Sequence, residues 1–281
     1  MYYLVVIFSA LLFSFQFLFN DGYKRECGSS IASALKFSLY TSVSGLVFLL
    51  VINKFCFEIS IFSLLTAFVY AAVCVVFSYC SVKAFETANL SVYSVFSMIG
   101  GMILPFVYGL VCGEEFKLLR VVGCLIIVAA IVFTADRRRE NKGGFKYYIA
   151  VFVLNGLVGI ISKFHQANAL FAVDSASFMM LTKICTAVIA LAALLCTREK
   201  IFSASGKAFA YCGVYSAVNS LGNLLLLIAL LQLPASVQYP VVTGGTMLFA
   251  FVIGVFRGDR ISARDVICTV LAIASTVIII L

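Results

Sequence analysis

Two lysines lie inside otherwise apolar stretches of this 281-residue chain, Lys36 and Lys183. Each falls about seven or eight residues within its hydrophobic run, deep enough that an ammonium group costs several kcal/mol unless it faces a cavity or a partner. Such residues read first as parts of a binding site, and second as side chains whose flexible stems reach back to the headgroups. The two align with each other at a displacement of 147 residues, and Ser30 aligns with Ser177. A pair of facing lysines suits a phosphate or a carboxylate, including the carboxylate of an amino acid. The twelve Asp and Glu residues all fall in loops or near the ends of apolar runs. No carboxylate stands at a predicted midplane to exchange a proton for a cationic drug, which disfavours that mechanism. Uncharged polar residues inside the runs are the next candidates. Asn219 and Asn223, four apart, share one helical face. Gln16, Tyr79, Ser94 with Ser97, and Tyr239 with Gln238 could line the same cavity or serve as hydrogen bonds between helices. The expected substrate-binding set is Lys36, Lys183, Gln16, Tyr79, Ser94, Asn219, Asn223 and Tyr239.

Other reactive types point to no chemistry of their own. His165 is the sole histidine, which excludes a two-histidine metal motif, and it reads as an interfacial polar residue at the end of an apolar run. The ten cysteines form no C-x-x-C pair and mostly sit in apolar runs, where a free thiol behaves as a small hydrophobe. The sequence has no intramembrane Asp pair, no His-Glu-x-x-His and no Ser–His arrangement. The expectation is therefore no enzyme, no metal and no cofactor.

The elements that must carry these residues follow from composition. The chain is 63% hydrophobic and 11% charged, with mean hydropathy +1.13 and three prolines. Soluble domains run nearer half apolar and a quarter charged. A bilayer core of about 30 Å takes roughly 20 helical residues to cross. Ten apolar runs can be marked: Tyr2–Phe19, Ser29–Ile52, Ser60–Phe85, Ser91–Cys112, Leu118–Ala135, Phe145–Ser162, Ser175–Thr197, Ala208–Leu231, Ala235–Phe256 and Ala263–Leu281. The first starts Met1-Tyr2-Tyr3-Leu4 without a basic segment before it, and reads as a membrane helix and not as a removed signal peptide. The fold class expected is all-α, a polytopic membrane protein of ten transmembrane helices with no room for a soluble catalytic domain. The very short turns after the third and eighth runs predict antiparallel helical hairpins.

The chain also repeats itself. A shift of 145 residues brings Ser91, Val92, Gly100, Met102, Phe106, Val107, Gly109 and Gly113 onto Ser236, Val237, Gly245, Met247, Phe251, Val252, Gly254 and Gly258 without a gap. The polar linker 137–144 then separates a first repeat, 1–136, from a second, 145–281. Five helices per repeat make the second copy enter from the opposite side, so the halves are expected to be inverted-topology repeats. The Gly109-x-x-x-Gly113 and Gly254-x-x-x-Gly258 pairs read as helix packing, and Pro105 and Pro240 as places where helices can kink. Of the 20 Lys and Arg, 14 fall on one face of this arrangement and 4 (Lys54, Lys117, Arg120 and Lys163) on the other. The bias places the basic face and the linker in the cytoplasm and both termini outside. The net charge of +8 is thus explained beside a membrane, with no nucleic-acid partner.

These segments resemble a known family. Tyr79, Ala84 and Ser91 at the junction of the third and fourth runs are similar to the motif of the EamA group in the drug/metabolite transporter superfamily. Leu226 through Pro234-Ala235-Ser236 is the fuller copy, and Gly113-Glu114 and Gly258-Asp259 match the family's Gly-Glu step. The resemblance spans nearly the whole chain and implies a transporter with a basic residue at the places of Lys36 and Lys183. Members often have cytoplasmic termini, the reverse of what the charge count gives. Phe15-Gln16 stands where the family has an aromatic followed by glycine. The function expected is a secondary transporter for a small polar or anionic solute (an amino acid, a sugar phosphate or similar), multi-pass in the cell or inner membrane, with the lipid bilayer as its surroundings. The alternatives are a flippase for a lipid-linked headgroup and a non-transporting scaffold or enzyme.

Overall fold

The computed structural model describes residues 2–28, 30–87, 90–134, 145–168, 170–197, 200–201, 204–258 and 263–280; for 85–87, 90–95, 134, 145, 264 and 265 it describes the backbone. The linker 137–144, Asp259 and Leu281 lie outside the described residues. Among those described there are ten α-helices in the predicted order: α1 (Tyr2–Cys27), α2 (Ile31–Ile52), α3 (Ile61–Thr87), α4 (Leu90–Val111), α5 (Leu118–Thr134), α6 (Phe145–Ala167), α7 (Ser175–Thr197), α8 (Gly206–Leu230), α9 (Ala235–Arg257) and α10 (Ala263–Ile280). Seven are long and apolar enough to cross a membrane, and α4, α5 and α10 add shorter apolar stretches. This is compatible with a multi-pass membrane protein.

Local chemistry sets the helix ends. Ser30 accepts from the Ser33 N–H at 3.1 Å and starts α2, while Ser205 accepts from the Ala208 N–H at 3.2 Å and starts α8. Asp174 opens α7 by accepting from the Ala176 and Ser177 N–H groups at 2.8 and 3.1 Å. Two helices outrun their apolar stretches: α1 continues past Phe19 to Cys27, and α6 past Ser162 to Ala167. Hydropathy stops where polar residues begin, but nothing there breaks a helix. Asp21 and Arg25 pair at 2.7 Å across one turn, and α1 stops only before Gly28, which takes a left-handed φ of 75°.

The helices pack across the chain's midpoint more than along it. α2 lies on α7, α5 on α10 and α4 on α9; α1 lies on α8 and α9, and α6 on α3 and α4. The helices of the α3–α4 and α8–α9 hairpins touch each other little. Apolar surface gains nothing by choosing a helix over lipid, so small residues and hydrogen bonds decide the partners. The α4–α6 contact is made where the Gly100 backbone meets Phe152 and where Gly156 faces Leu104. Asn155 on α6 donates to the Ser97 carbonyl at 2.7 Å in the same interface. The Gly109 and Gly113 pair, expected to pack helices, does not do so: Gly113 is a turn residue at φ 91°, and Gly109 faces a carboxylate.

Two groups of four helices result. One core joins α2, α3, α7 and α8 around Leu49, Ala71, Phe178 and Leu227. Another joins α4, α5, α9 and α10, with part of α1, around Met102, Ile127, Val241 and Ile279. α1 and α6 each span both groups. Their outer surfaces carry exposed Leu4, Phe8, Val47, Leu65, Phe68 and Val270, an apolar skin suited to lipid.

Candidate functional site

The polar residues of the first group converge at one depth. Lys183, the ninth residue of α7, donates from Nζ to Asn219 Oδ1 at 3.3 Å. Asn219 on α8 donates from Nδ2 to Gln16 Oε1 on α1 at 2.7 Å. Three predicted site residues from three helices therefore form one chain of hydrogen bonds. Asn223, a turn further along α8, donates to the Asn219 carbonyl at 2.8 Å.

The direction of this chain is fixed by its first member. An ammonium can only donate, so Asn219 must turn its oxygen to Lys183 and its NH2 to Gln16. Gln16 must then accept with its oxygen and present its own N–H groups away from Asn219. What the cluster offers a visitor is donors: the remaining Lys183 N–H groups and the Gln16 amide.

Room for Lys183 is made by Gly45 on α2. A Cβ there would stand 2.6 and 2.7 Å from the Ser216 and Ser220 hydroxyls and 3.1 Å from Lys183 Cε. Ser216 donates to the Thr41 carbonyl and ties α8 to α2 at the same level. Cys74 on α3 lies near both Lys183 and Tyr70. Tyr70 in turn lies near Tyr215 and Tyr239. Tyr239 is nine-tenths buried and donates to the Gly159 carbonyl on α6 at 3.0 Å, so it forms the cluster's edge. Sequence reading missed Tyr70, Cys74 and Ser216, because aromatic, thiol and hydroxyl groups do not interrupt an apolar run.

The other predicted residues go elsewhere. Lys36 is the sixth residue of α2, and Gly45, beside Lys183, is nine residues further along, roughly 13 Å at 1.5 Å per residue. The two lysines thus do not face each other across one site, because α2 and α7 enter from opposite ends. Lys36 lines a cavity of about 320 Å³ with Tyr23, Ser30, Ser33 and Ser205. A neighbouring cavity of about 180 Å³ shares Tyr23, Ser30 and Ser33 and reaches Phe37, Ser78 and Tyr215. Ser78 and Tyr215 are each four residues, one turn, from Cys74 and Asn219, so this second cavity leads from the basic face towards the Lys183 cluster. Tyr79 is 44% exposed on the outer surface and lines neither cavity. Hydropathy could not tell its face from the inner one. Gln238 is buried and donates to the Leu226 carbonyl at 2.6 Å, a helix-to-helix tie. The Ser94 side chain lies outside the described residues.

His165, in the last turn of α6, is fully buried, stacked at 3.7 Å on Phe178 and at 5.9 Å on Phe62, with Nε2 at 2.9 Å from the Ser63 hydroxyl.

A second polar cluster closes the face opposite the cavities. Glu114, in the α4–α5 turn, accepts from the Ala235 and Ser236 N–H groups at 2.7 and 2.9 Å, and from Lys163 Nζ at 2.9 Å. Pro234 gives α9 no side-chain cap, so the carboxylate from another helix pair satisfies these orphan donors. Burial pushes the Glu114 carboxyl up, but the Ser236 backbone and Lys163 outweigh it and hold it below the usual carboxylate value. Gly109 makes the seat, since a Cβ there would lie 2.6 Å from Glu114 Oε2. Arg120 adds a long contact to the Ser236 hydroxyl at 3.5 Å.

No family model and no curated protein matches the chain. Solved structures do match, 29 chains in number. One, a protein crystal structure, is similar at TM-score 0.77 and 12% identity, covering 100% of this chain and 98% of its own. At that identity the likeness speaks for the ten-helix fold alone.

Proposed function

We propose that the protein is a secondary transporter that carries a small polar or anionic metabolite by alternating access, holding its anionic end at Lys183, Asn219 and Gln16. One observation carries this reading: the hydrogen-bond chain set by Lys183 leaves a site made of donors. Such a site favours a carboxylate or phosphate and rejects a cation. The path of small cavities from the basic face towards that site, and the polar closure at the other face, support one-sided access.

The inverted repeat belongs to the same reading. Exchanging each helix for its counterpart five places on turns α1 on α8 into α6 on α3, α1 on α9 into α6 on α4, and α2 on α8 into α7 on α3, all of which are pairs in contact. The pairs α2–α7, α4–α9 and α5–α10 map onto themselves. Together with the ungapped 145-residue register, this supports the EamA-like resemblance and two five-helix copies of opposite orientation. The basic face is then cytoplasmic and both termini external.

The test is a thermal-shift screen of amino acids, sugar phosphates and nucleotide sugars on the purified protein, repeated with Lys183→Met. Met keeps the side-chain length and removes the charge, so the protein still folds. The expected loss is about 1.5–3 kcal/mol of ligand binding, roughly ten- to hundred-fold. Equal stabilisation of both proteins by every anionic ligand, or equal uptake at matched expression, overturns the site.

A further inference from the structure

Among the described residues, the acidic side chains that the sequence places in loops or at the ends of apolar runs include one, Glu114, that is largely withdrawn from solvent. Glu114 has a side-chain exposure of 10% and three donors from two other helices: two backbone N–H groups of α9 and the ammonium of α6. We propose that Glu114 is the latch of a gate that closes the Lys-poor face over the Lys183 cluster, and that opening this face requires the carboxylate to leave the α9 N-terminus.

The latch joins α9 to α6, two helices that meet little directly although both pack on α4. The α4–α5 turn and α9 belong to one four-helix group, whereas Lys163 is on α6, which spans both groups. Directly behind the latch, Tyr239 lies one turn along α9 from Ala235 and is hydrogen-bonded to α6 at Gly159. Beyond it stands Tyr70, which lies near both Tyr239 and Cys74. A pull on the first turn of α9 therefore moves the group that separates the cluster from this face.

The electrostatics give the latch two settings and not a gradual loosening. With Glu114 ionised and seated, one negative charge lies between Lys163 and the positive end of the α9 dipole. With the carboxylate removed or neutralised, the ammonium and the helix end face each other unscreened and repel. Replacing Glu114 thus pushes α9 and α6 apart, and removing Lys163 as well relieves the push. A carboxylate that merely capped a helix would show no such compensation.

This inference rests on the alternating-access reading, but its test uses no substrate. All cysteines except Cys74, half-buried beside Lys183, are replaced by serine or alanine. The full-length protein is oriented in proteoliposomes, and a membrane-impermeant thiol reagent is applied from each face in turn. With Glu114 present, Cys74 is expected to react from the basic face only. Glu114→Gln should accelerate the reaction from the Lys-poor face at least ten-fold, and Glu114→Gln combined with Lys163→Met should return most of that gain. Glu114→Asp keeps the charge but falls a methylene short, gives a smaller rise, and carries the test if the Gln variant does not insert. An unchanged rate from the Lys-poor face in these variants, or a high rate there already with Glu114 intact, overturns the latch. A failed ligand screen, with labelling as expected, would strike the transport reading and leave the gate.

Discussion

At the scale of single residues, the chain is ruled by what each charged group can accept or donate. Lys183 dictates how two amides turn, so a change at Asn219 should act on binding more than on folding. Asn219→Asp would set a carboxylate where the amide oxygen now stands, 3.3 Å from Nζ. The resulting ion pair neutralises the site from within. Anionic ligands should bind at least about ten-fold more weakly, the loss of one charge-assisted hydrogen bond, with no drop in the melting temperature. Ligand titration alongside thermal unfolding checks this, and unchanged affinity would mean that the ammonium does not meet the ligand. Glu114 brings a pH dependence whose sign follows from its lowered value. Its contribution to closure is complete above the ordinary carboxylate range and is lost as pH falls through the lowered folded value. The charged or titratable groups around it are Lys163 on α6, Tyr239 on α9, and Arg120 with Glu115 beside the turn. Amide exchange of Ala235 and Ser236, followed as pH is lowered, should stay slow through the usual carboxylate range and rise only below it. Lys183, Asn219 and Gln16 were legible because a polar residue in an apolar run stands out. Glu114 was not, because an acid in a loop looks the same in sequence whether it faces water or a helix end.

At the scale of elements, all ten helices could be read, and α7 to the residue, since nothing but apolar helix fits runs of that length between polar breaks. The ends of α1 and α6 could not, because hydropathy marks the oil and not the helix. Nor could the partners: the short α3–α4 and α8–α9 turns set which helices run antiparallel, but not which helices pack together. Gly45 is the place to test, near the site, whether a small residue sets such a partner. Gly45→Ala puts a methyl within 3 Å of two hydroxyls and close to the Lys183 stem, and α2 must shift from α8 to admit it. The expected cost is about 1–3 kcal/mol of stability, with weakened ligand binding, because the methyl also displaces the lysine. At the neighbouring exposed Val47, truncation by Val47→Ala should cost less than about 0.5 kcal/mol, a value usual for surface positions. Thermal unfolding in detergent distinguishes the two, and similar losses would show that the close approach is not needed.

At the scale of the whole molecule, a register of glycines in the sequence leads one to expect two repeats, but a linear register does not say which helices touch. The helices of residues 1–136 and 145–281 interleave, and each four-helix group draws from both. Residues 1–136 and 145–281 expressed separately should therefore be unstable and degraded, while co-expression should restore a folded, detergent-stable complex. Gel filtration of the co-expressed halves checks this, and a monodisperse, folded half on its own would contradict it. Orientation belongs to the same scale. A reporter fused after Leu281 that is active only outside the cytoplasm should report, and one that is active only in the cytoplasm should stay silent.

The partners of α1 also set a timetable for biosynthesis. The ribosome delivers α1 first, yet the helices it rests on, α8 and α9, begin at Gly206 and Ala235. At about 5–20 residues per second, α1 waits roughly 10–40 s in the bilayer before either emerges. Ser9 and Ser14 can wait, since each hydroxyl donates to a carbonyl one turn back in its own helix. Gln16 cannot: its acceptor finds Asn219 only when α8 arrives. A nascent chain cut short before Gly206 thus leaves an amide stranded among lipid tails, a mark by which a membrane chaperone or protease can tell an unfinished chain from a finished one.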